Sequence, residues 1–364
     1  MKSIRSWALI AFVLTVTLPV MAQQKVLRYA FEIAETGFDP PQISDTYSSQ
    51  VISLLFDTPL TYDYLARPLK LKPNLLTAMP EISGGGKIYT LRFKPGIYFV
   101  DDPAFGGKKR ELVAEDFAFS LKRLYDTKSK SPNLYFVDNK LVGDQALKAR
   151  EKELGRFDYD YPIEGLKVLD RYTIQITLNA PDFNFTYLLA STNVSTLQAR
   201  EALEKYGADM MAHPVGTGPY KITFWKRGSR IVLEKNPGFR EEYWDAEAPS
   251  GDKGAQAIVA RMKGKRIPQI DRIEISPVEE SQPRWLAFLN AEHDYFDRVQ
   301  EEFTYQAVAG NGVAPALAKR GIQLDRSVGL EVGYAYFGME NPVVGGYSPE
   351  KVALRRAILL GYNI

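Results

Sequence analysis

Hydrophobic and polar positions alternate along several segments of the chain, and the alternation is clearest over residues 220–235. The apolar side chains of Tyr220, Ile222 and Phe224 are separated there by polar ones, and a second alternating run follows Gly228. A period of two is typical of a strand with one buried face. The pattern therefore predicts a β-hairpin with its turn at Gly228.

A Gly-Thr-Gly-Pro segment stands immediately before this hairpin. We expect Gly216 and Gly218 to adopt backbone dihedrals that other residues avoid, while Pro219 fixes the φ angle that follows. The hairpin is therefore predicted to have a rigid entry. Asn236 and Pro237 end the alternating pattern on its other side.

The other regular elements follow from two periods: apolar residues at every second position predict a strand, and those at every third or fourth position predict a helix. Predicted strands cover residues 25–33, 88–94, 168–178 and 270–275. Predicted helices cover residues 47–56, 114–125, 196–206 and those from Pro349 onward. A capping box of Ser195 and Gln198 is expected to open the third of these helices. Residues 128–156 and 249–264 show no strong period and are predicted to be surface loops.

The N-terminus has the features of a secretory signal peptide. Lys2 and Arg5 precede an uncharged apolar run over residues 7–18, which is shorter than the roughly 20 residues that span a bilayer. Val20-Met21-Ala22 matches a cleavage site with small residues. We therefore expect cleavage near Ala22 and a periplasmic location in a Gram-negative cell.

Composition excludes several classes of protein. The sequence has 46 basic and 44 acidic residues among 364, so removal of residues 1–22, with Lys2 and Arg5, leaves 44 of each. A neutral mature chain is not expected to bind nucleic acid or an anionic membrane. The sequence contains no cysteine, which excludes a disulfide framework and thiolate chemistry. Its length suggests two or three compact units.

No catalytic residue, metal site or cofactor is predicted. The two histidines, His213 and His293, lack the spacing of a zinc site or of a nucleophile–base pair. Glu279 and Glu280 are adjacent and would face opposite sides of a strand, so they cannot act as the paired acids of a glycosidase. A zinc site, a nucleophile–base pair or a pair of glycosidase acids is therefore not expected at these residues.

Six short motifs occur in order along the chain, on either side of GTGPY at 216–220. They are FDP at 38–40, FDTPL at 56–60, YTLRFKPGIYF at 89–99, VAEDFAFS at 113–120, AEHD at 291–294 and LRRAI at 354–358. Together they resemble the motifs of family 5 solute-binding proteins, the extracytoplasmic receptors of peptide, nickel and related ABC importers. The match at 291–294 is degenerate.

The resemblance implies an α/β fold of the two-lobe, type II periplasmic-binding-protein kind (cluster C), with an extra small α/β subdomain in lobe I. It assigns residues 23–56 and 170–276 to lobe I, residues 57–169 to the extra subdomain and residues 277–364 to the start of lobe II. Family members continue beyond the helix that starts at Pro349. We therefore expect a C-terminally truncated chain with lobe II incomplete.

The resemblance also implies a ligand site built from three loops that converge on a cleft between lobes. The expected ligand-binding residues are Ala34, Glu35, Thr36, Phe239, Arg240, Glu241, Glu280 and Ser281. Loops at strand ends that converge on a cleft are the usual ligand position in α/β folds.

The function implied is that of the periplasmic substrate-binding component of an ABC importer, which is not an enzyme. It would capture an extended small ligand, with a peptide favoured, and deliver it to permease subunits in the inner membrane, acting as a monomer when full length. Nickel chelates, haem, sugars and antibiotics stay open as ligands. Outside this class, we weigh a secreted hydrolase, disfavoured because no Gly-x-Ser-x-Gly elbow is present, and a periplasmic chaperone.

Overall fold

The computed structural model of the chain describes residues 24–326 and 333–362. The expected signal peptide, residues 1–22, lies outside this part. The described residues form two compact units, one that ends at Arg298 and one that starts at Val299. Across the described ranges, no helix is both long enough and apolar enough to cross a membrane.

Helices and strands are interspersed along the first unit. Its helices are α1 Thr46–Leu55, α2 Ala114–Arg123, α3 Asp144–Leu154, α4 Phe185–Leu188, α5 Thr192–Ser195, α6 Arg200–Tyr206, α7 Lys253–Met262 and α8 Ser281–Leu289. Its strands are β1 Val26–Phe31, β2 Leu60–Tyr62, β3 Leu71–Pro73, β4 Glu81–Ser83, β5 Ile88–Arg92, β6 Leu166–Asp170, β7 Thr173–Thr177, β8 Tyr220–Lys226, β9 Arg230–Lys235, β10 Glu242–Tyr243, β11 Arg266–Ile267 and β12 Arg272–Pro277.

A four-stranded sheet with the order β1-β12-β9-β8 organises one half of this unit. β1 and β12 are parallel, with Phe31 opposite Pro277, whereas β12 with β9 and β9 with β8 are antiparallel. Apolar side chains of the sheet pack against α1 in one buried cluster, which includes Phe31, Val51, Ile231 and Ile275. Of the alternating residues of β8, Tyr220 and Ile222 join this face. Phe224 is instead 48 % exposed, because a register shift after Ile222 places Trp225 against the cluster.

The predicted hairpin is present as β8 and β9, with Gly228 at its turn and a φ there of +63° that favours glycine. The expectation of unusual dihedrals at Gly216 and Gly218 is wrong, because neither has a φ in the left-handed range. Close approach explains these two glycines instead. A Cβ atom on Gly218 would lie 2.5 Å from the carbonyl carbon of Leu55 and 2.6 Å from the carbonyl oxygen of Leu54.

A second, wholly antiparallel sheet with the order β4-β5-β7-β6 forms the other half of the unit. It packs with α2 in a separate buried cluster that includes Tyr89, Phe117, Leu121 and Ile174. The subdomain boundary expected after residue 169 would divide this sheet, because β7 pairs with both β5 and β6. This second sheet therefore extends to Thr177, past the expected boundary.

The first unit also extends past residue 276, where the start of lobe II is expected. Tyr29 of β1 forms a parallel bridge with Tyr295, and Arg28 forms an ion pair with Asp294 at 2.6 Å. These contacts tie the segment after α8 to the edge of the first sheet. The division between the two compact units consequently falls after Arg298.

Both segments predicted to be loops contain a helix. In α3 the buried face is partly polar, since Asp144 and Glu151 are buried and accept hydrogen bonds from Tyr125 and Thr127. A hydrophobic period cannot reveal such a face. In α7 the Asp252 side chain accepts a hydrogen bond from the Ala255 backbone and caps the helix, although glycines and lysines dominate the surrounding sequence.

The helix expected over residues 196–206 begins only at Arg200. Its predicted capping box does not form, because both side chains are used elsewhere. Ser195 donates a hydrogen bond to the carbonyl oxygen of Leu188, and Gln198 donates one to the buried carboxylate of Asp39. Tertiary contacts thus override the local capping signal.

The second unit contains short elements and one longer helix. They are α9 Thr304–Ala307, β13 Val308–Ala309, β14 Gly312–Val313, α10 Pro315–Ala318 and α11 Pro349–Leu360. β13 and β14 pair as a two-stranded antiparallel ribbon. The start of α11 at Pro349 confirms the prediction from the sequence. The aromatic residues Tyr334 and Tyr336 belong to no strand.

We expect Gly218→Ala to destabilise the chain by at least about 2 kcal/mol, because the added methyl group would overlap backbone atoms, which cannot rotate away. Gly312→Ala is the matched control, since a Cβ there meets nothing within 4 Å and its φ is ordinary. Chemical denaturation of both variants measures the difference. Equal midpoints for the two would contradict the close-packing explanation.

Candidate ligand-binding site

The carboxyl ends of the parallel strands β1 and β12 lie side by side, because Phe31 is paired with Pro277. The chain leaves β1 into residues 34–36 and leaves β12 toward Glu280 and Ser281, which begin α8. In α/β folds, ligands bind outside the carboxyl ends of the strands. Five of the eight expected ligand-binding residues are therefore at one end of the sheet.

Glu35 is the most constrained residue at this end. Its side chain is only 2 % exposed, and Oε1 accepts hydrogen bonds from the indole Nε1 of Trp225, at 2.6 Å, and from the backbone N–H of Gly228, at 3.0 Å. The other oxygen, Oε2, is buried and has no hydrogen-bond partner among the described residues. Glu35 thus holds the turn of the hairpin against the end of β1, and its Oε2 atom receives no hydrogen bond from the described residues.

The backbone beside Glu35 is open to a ligand. Within the described ranges, no hydrogen-bond partner is found for the backbone groups of Ile33, which is exposed, or of Ala34, which is half-buried. Thr36 is instead fixed, because its hydroxyl donates to Asp45 and its N–H donates to Ser48 at the start of α1. The chain bends at Ile33, directly after β1, and a ligand could hydrogen-bond to the backbone groups of Ile33 and Ala34 there.

A buried arginine fixes the loop that follows β12. Arg284 of α8 is 4 % exposed and donates hydrogen bonds to the carbonyl oxygens of Val278, at 2.6 Å, and Glu279, at 3.0 Å. These bonds position Glu280 and Ser281 at the first turn of the helix. Sequence reasoning missed Arg284, whose position in an amphipathic helix gives no sign of this role.

The remaining three expected residues lie at the opposite end of the same sheet. Phe239, Arg240 and Glu241 follow β9, whose last residue pairs with the first residue of β8. Helix α1 connects the two ends. At its start, Asp45 accepts a hydrogen bond from Thr36, and Asp57, the main partner of Arg240, lies two residues after its last residue, Leu55. The eight residues therefore do not converge on one surface of this unit.

The guanidinium of Arg240 makes hydrogen bonds, ion pairs and a contact with an aromatic ring. Its guanidinium donates to Asp57 at 2.7 Å and to Asn74 at 2.9 Å, forms an ion pair with Glu242 at 2.8 Å and lies over the ring of Phe239 at 4.6 Å. Burial opposes the charge, but attraction to Asp57 and its hydrogen bonds outweigh burial and raise the pKa of Arg240. This arrangement is that of a structural ion pair.

A cleft of about 410 Å³ adjoins Arg240. Aromatic side chains form much of its wall, and its charged groups are paired with one another, as in the ion pair between Lys72 and Asp245 at 2.7 Å. The aromatic lining consists of Phe56, Tyr62, Tyr64, Phe239, Tyr243 and Trp244. Glu241 is outside the cleft wall and accepts a hydrogen bond from Tyr243.

The two histidines are placed without partners for catalysis. The ring of His213 stacks on Tyr206 with a centroid distance of 4.1 Å. Burial lowers the pKa of His293, which stands beside the Arg28–Asp294 ion pair. In the described part of the chain, no three His, Asp or Glu side chains are grouped so that they could hold a metal ion.

Comparison with known proteins identifies the family. The model described as bacterial extracellular solute-binding proteins, family 5 middle, matches residues 70–364. The chain belongs to this family. The predicted resemblance is therefore confirmed over most of the chain.

Two curated relatives of this family 5 protein illustrate the similarity. The glutathione-binding protein GsiB of Pectobacterium atrosepticum is 28% identical over 217 residues, covering 60% of this chain and 35% of the relative. The di/tripeptide-binding protein 2 of Pseudomonas aeruginosa is 25% identical over 263 residues, covering 67% and 43%. The chain thus spans less than half the length of these curated relatives.

Solved structures confirm the expected α/β fold of the type II two-lobe class. The periplasmic binding protein DppA of Helicobacter pylori, solved in complex with the peptide STSA, matches with a TM-score of 0.52 and 26% identity, over 74% of this chain and 45% of that one. The substrate-binding domain of an oligopeptide ABC transporter from Bacillus anthracis matches with a TM-score of 0.60 and 19% identity, over 78% and 47%. The second match bears on the fold alone.

We expect Arg240→Met to destabilise the chain by about 3 kcal/mol, because it leaves the buried carboxylate of Asp57 without its cation. Arg261→Met, at an exposed position near the end of α7, is the matched control and should stay within about 0.5 kcal/mol of the native chain. Chemical denaturation measures both. A native-like midpoint for Arg240→Met would show that the guanidinium is free for another role.

Proposed function

We propose that this family 5 protein is the periplasmic substrate-binding component of an ABC importer and that its ligand is a peptide. The ligand would be held without covalent chemistry and passed to permease subunits in the inner membrane. Binding would favour a closed state of the full-length protein through the higher affinity of that state for the ligand.

One observation carries the choice of an extended, peptide-like ligand. The chain leaves β1 at Phe31 and bends at Glu32 and Ile33, and the backbone groups of Ile33 and Ala34 have no partner among the described residues. An extended peptide can hydrogen-bond to such backbone groups, which provides affinity without strict dependence on side chains. Two relatives are named as a glutathione-binding protein and a di/tripeptide-binding protein, and these names support a peptide-like ligand.

The residues expected to serve the ligand differ in their roles under this proposal. Ala34 and Thr36 border the ligand directly, and Glu280 and Ser281 approach it from the neighbouring strand end. Glu35 acts as a positioning residue, because its carboxylate holds Trp225 and Gly228. Arg240 and Phe239 serve the stability of the opposite end of the sheet.

Calorimetric titration of the full-length protein with di- and tripeptides tests the proposal. We expect saturable binding of peptides in the micromolar range or tighter and no change in the peptide, as judged by mass spectrometry. Cleavage of the peptides would favour a secreted hydrolase. Absence of saturable binding, together with protection of unfolded proteins from aggregation, would favour a chaperone.

A variant at the strand end tests the location of the site. We expect Ala34→Trp in the full-length protein to weaken peptide binding at least tenfold, because the indole would occupy the space beside the open backbone. Ala66→Trp is the matched control, since Ala66 is also half-buried but lies in the connection between β2 and β3, which form a separate two-stranded sheet. Unchanged affinity in a normally folded Ala34→Trp protein would exclude the end of β1 as the binding surface.

A further inference from the structure

A second cleft, of about 590 Å³, lies in the first unit beside the end of α2. Its walls come from residues 126–129, residues 156–159 and the end of α6 with Gly207. It shares no lining residue with the end of β1 or with the aromatic-lined cleft beside Arg240. The proposed function does not use it.

Arg123 lines this cleft and is one of the most deeply buried charged residues, with its side chain 2 % exposed. Its two terminal nitrogens donate to both oxygens of Asp39, at 2.6 and 2.8 Å, and one also donates to Gln198 at 2.9 Å. Burial opposes the charge, but attraction to Asp39 and a contact with the hydroxyl of Tyr159 outweigh burial and raise the pKa of Arg123. Arg123 is therefore a fixed part of the cleft wall, with its charge balanced by Asp39.

Two further cations stand at the same cleft. Lys128 and Arg156 are both exposed, and the described structure gives neither of them an acidic partner. The one carboxylate in the lining, Asp126, is already occupied: it accepts a hydrogen bond from the hydroxyl of Tyr159, at 2.6 Å, and one from the backbone N–H of Lys128, at 2.9 Å. Because Asp39 balances the charge of Arg123, Lys128 and Arg156 supply the positive charge that the described acidic side chains leave unpaired at this cleft.

This combination selects the chemistry of a ligand. The exposed side chains of Lys128 and Arg156 can pair with the negative oxygens of a ligand, while the Arg123–Asp39 pair fixes the wall behind them. Phe157 and Tyr159 add aromatic wall that can pack against a small organic group. We propose that the cleft at Arg123 binds a small anion that carries a phosphate or a carboxylate group.

Calorimetric titration of the chain with inorganic phosphate and, separately, with citrate tests this proposal. Low ionic strength is required, because salt screens exposed charges. We expect saturable binding of at least one anion, and the stronger of the two identifies the group. The double variant Lys128→Ala/Arg156→Ala should bind at least tenfold more weakly while it melts like the native chain, since both residues are exposed.

The control is Lys87→Ala/Lys167→Ala, which removes the same charge from two exposed positions outside the cleft. It should bind like the native chain. In addition, the Nε–H resonance of Arg123 should shift during titration of the native chain. The proposal is overturned if neither anion binds or if the double variant binds like the native chain. It is also overturned if the control variant loses as much affinity as the double variant, which would mean an adventitious ion only.

Discussion

The close contact between the Gly-Thr-Gly segment and the end of α1 is the constraint on which the rest of the first unit depends. Gly218 donates its N–H to the carbonyl oxygen of Leu55 at 2.9 Å, and no side chain would fit between these backbones. Gly216 accepts a hydrogen bond from Val100 of the subdomain, at 2.8 Å. Thr217 donates to Asp57, the partner of Arg240. One short segment thus joins the hairpin, the helix and the subdomain.

This junction separates two ends of the sheet that have different tasks. At the end near Asp57, charges are paired and buried, which suits a structural anchor. At the other end, the parallel pairing of β1 with β12 brings two carboxyl ends together, and the backbone beyond β1 lacks partners at Ile33 and Ala34 among the described residues. A ligand can use such groups, whereas it would have to break existing ion pairs at Arg240.

The two arginines that pair with the buried carboxylates of Asp57 and Asp39 show the same distinction. Arg240 has its charge and its donors met by Asp57, Asn74 and Glu242, so burial stabilises a fixed geometry. Arg123 is likewise paired with Asp39 at its terminal nitrogens, but it adjoins a cleft with two exposed cations that have no acidic partner among the described residues. The difference lies in the neighbouring charges, since both arginines are themselves paired.

The sequence was enough to predict the family, the fold class and the hairpin. The alternation of apolar residues and the order of the short motifs can both be seen directly along the chain. Helix α3 could not be predicted, because its buried face includes the polar residues Asp144 and Glu151. The start of α6 could not be predicted either, because the Gln198 side chain donates a hydrogen bond to Asp39, far away in the sequence, instead of capping the helix. The sequence by itself determined which loops follow the strands, and hence the expected residues at both ends of the sheet. Only the tertiary structure decided that residues 34–36 and 239–241 lie at opposite ends, because strand direction and pairing are set by long-range contacts that no local pattern encodes.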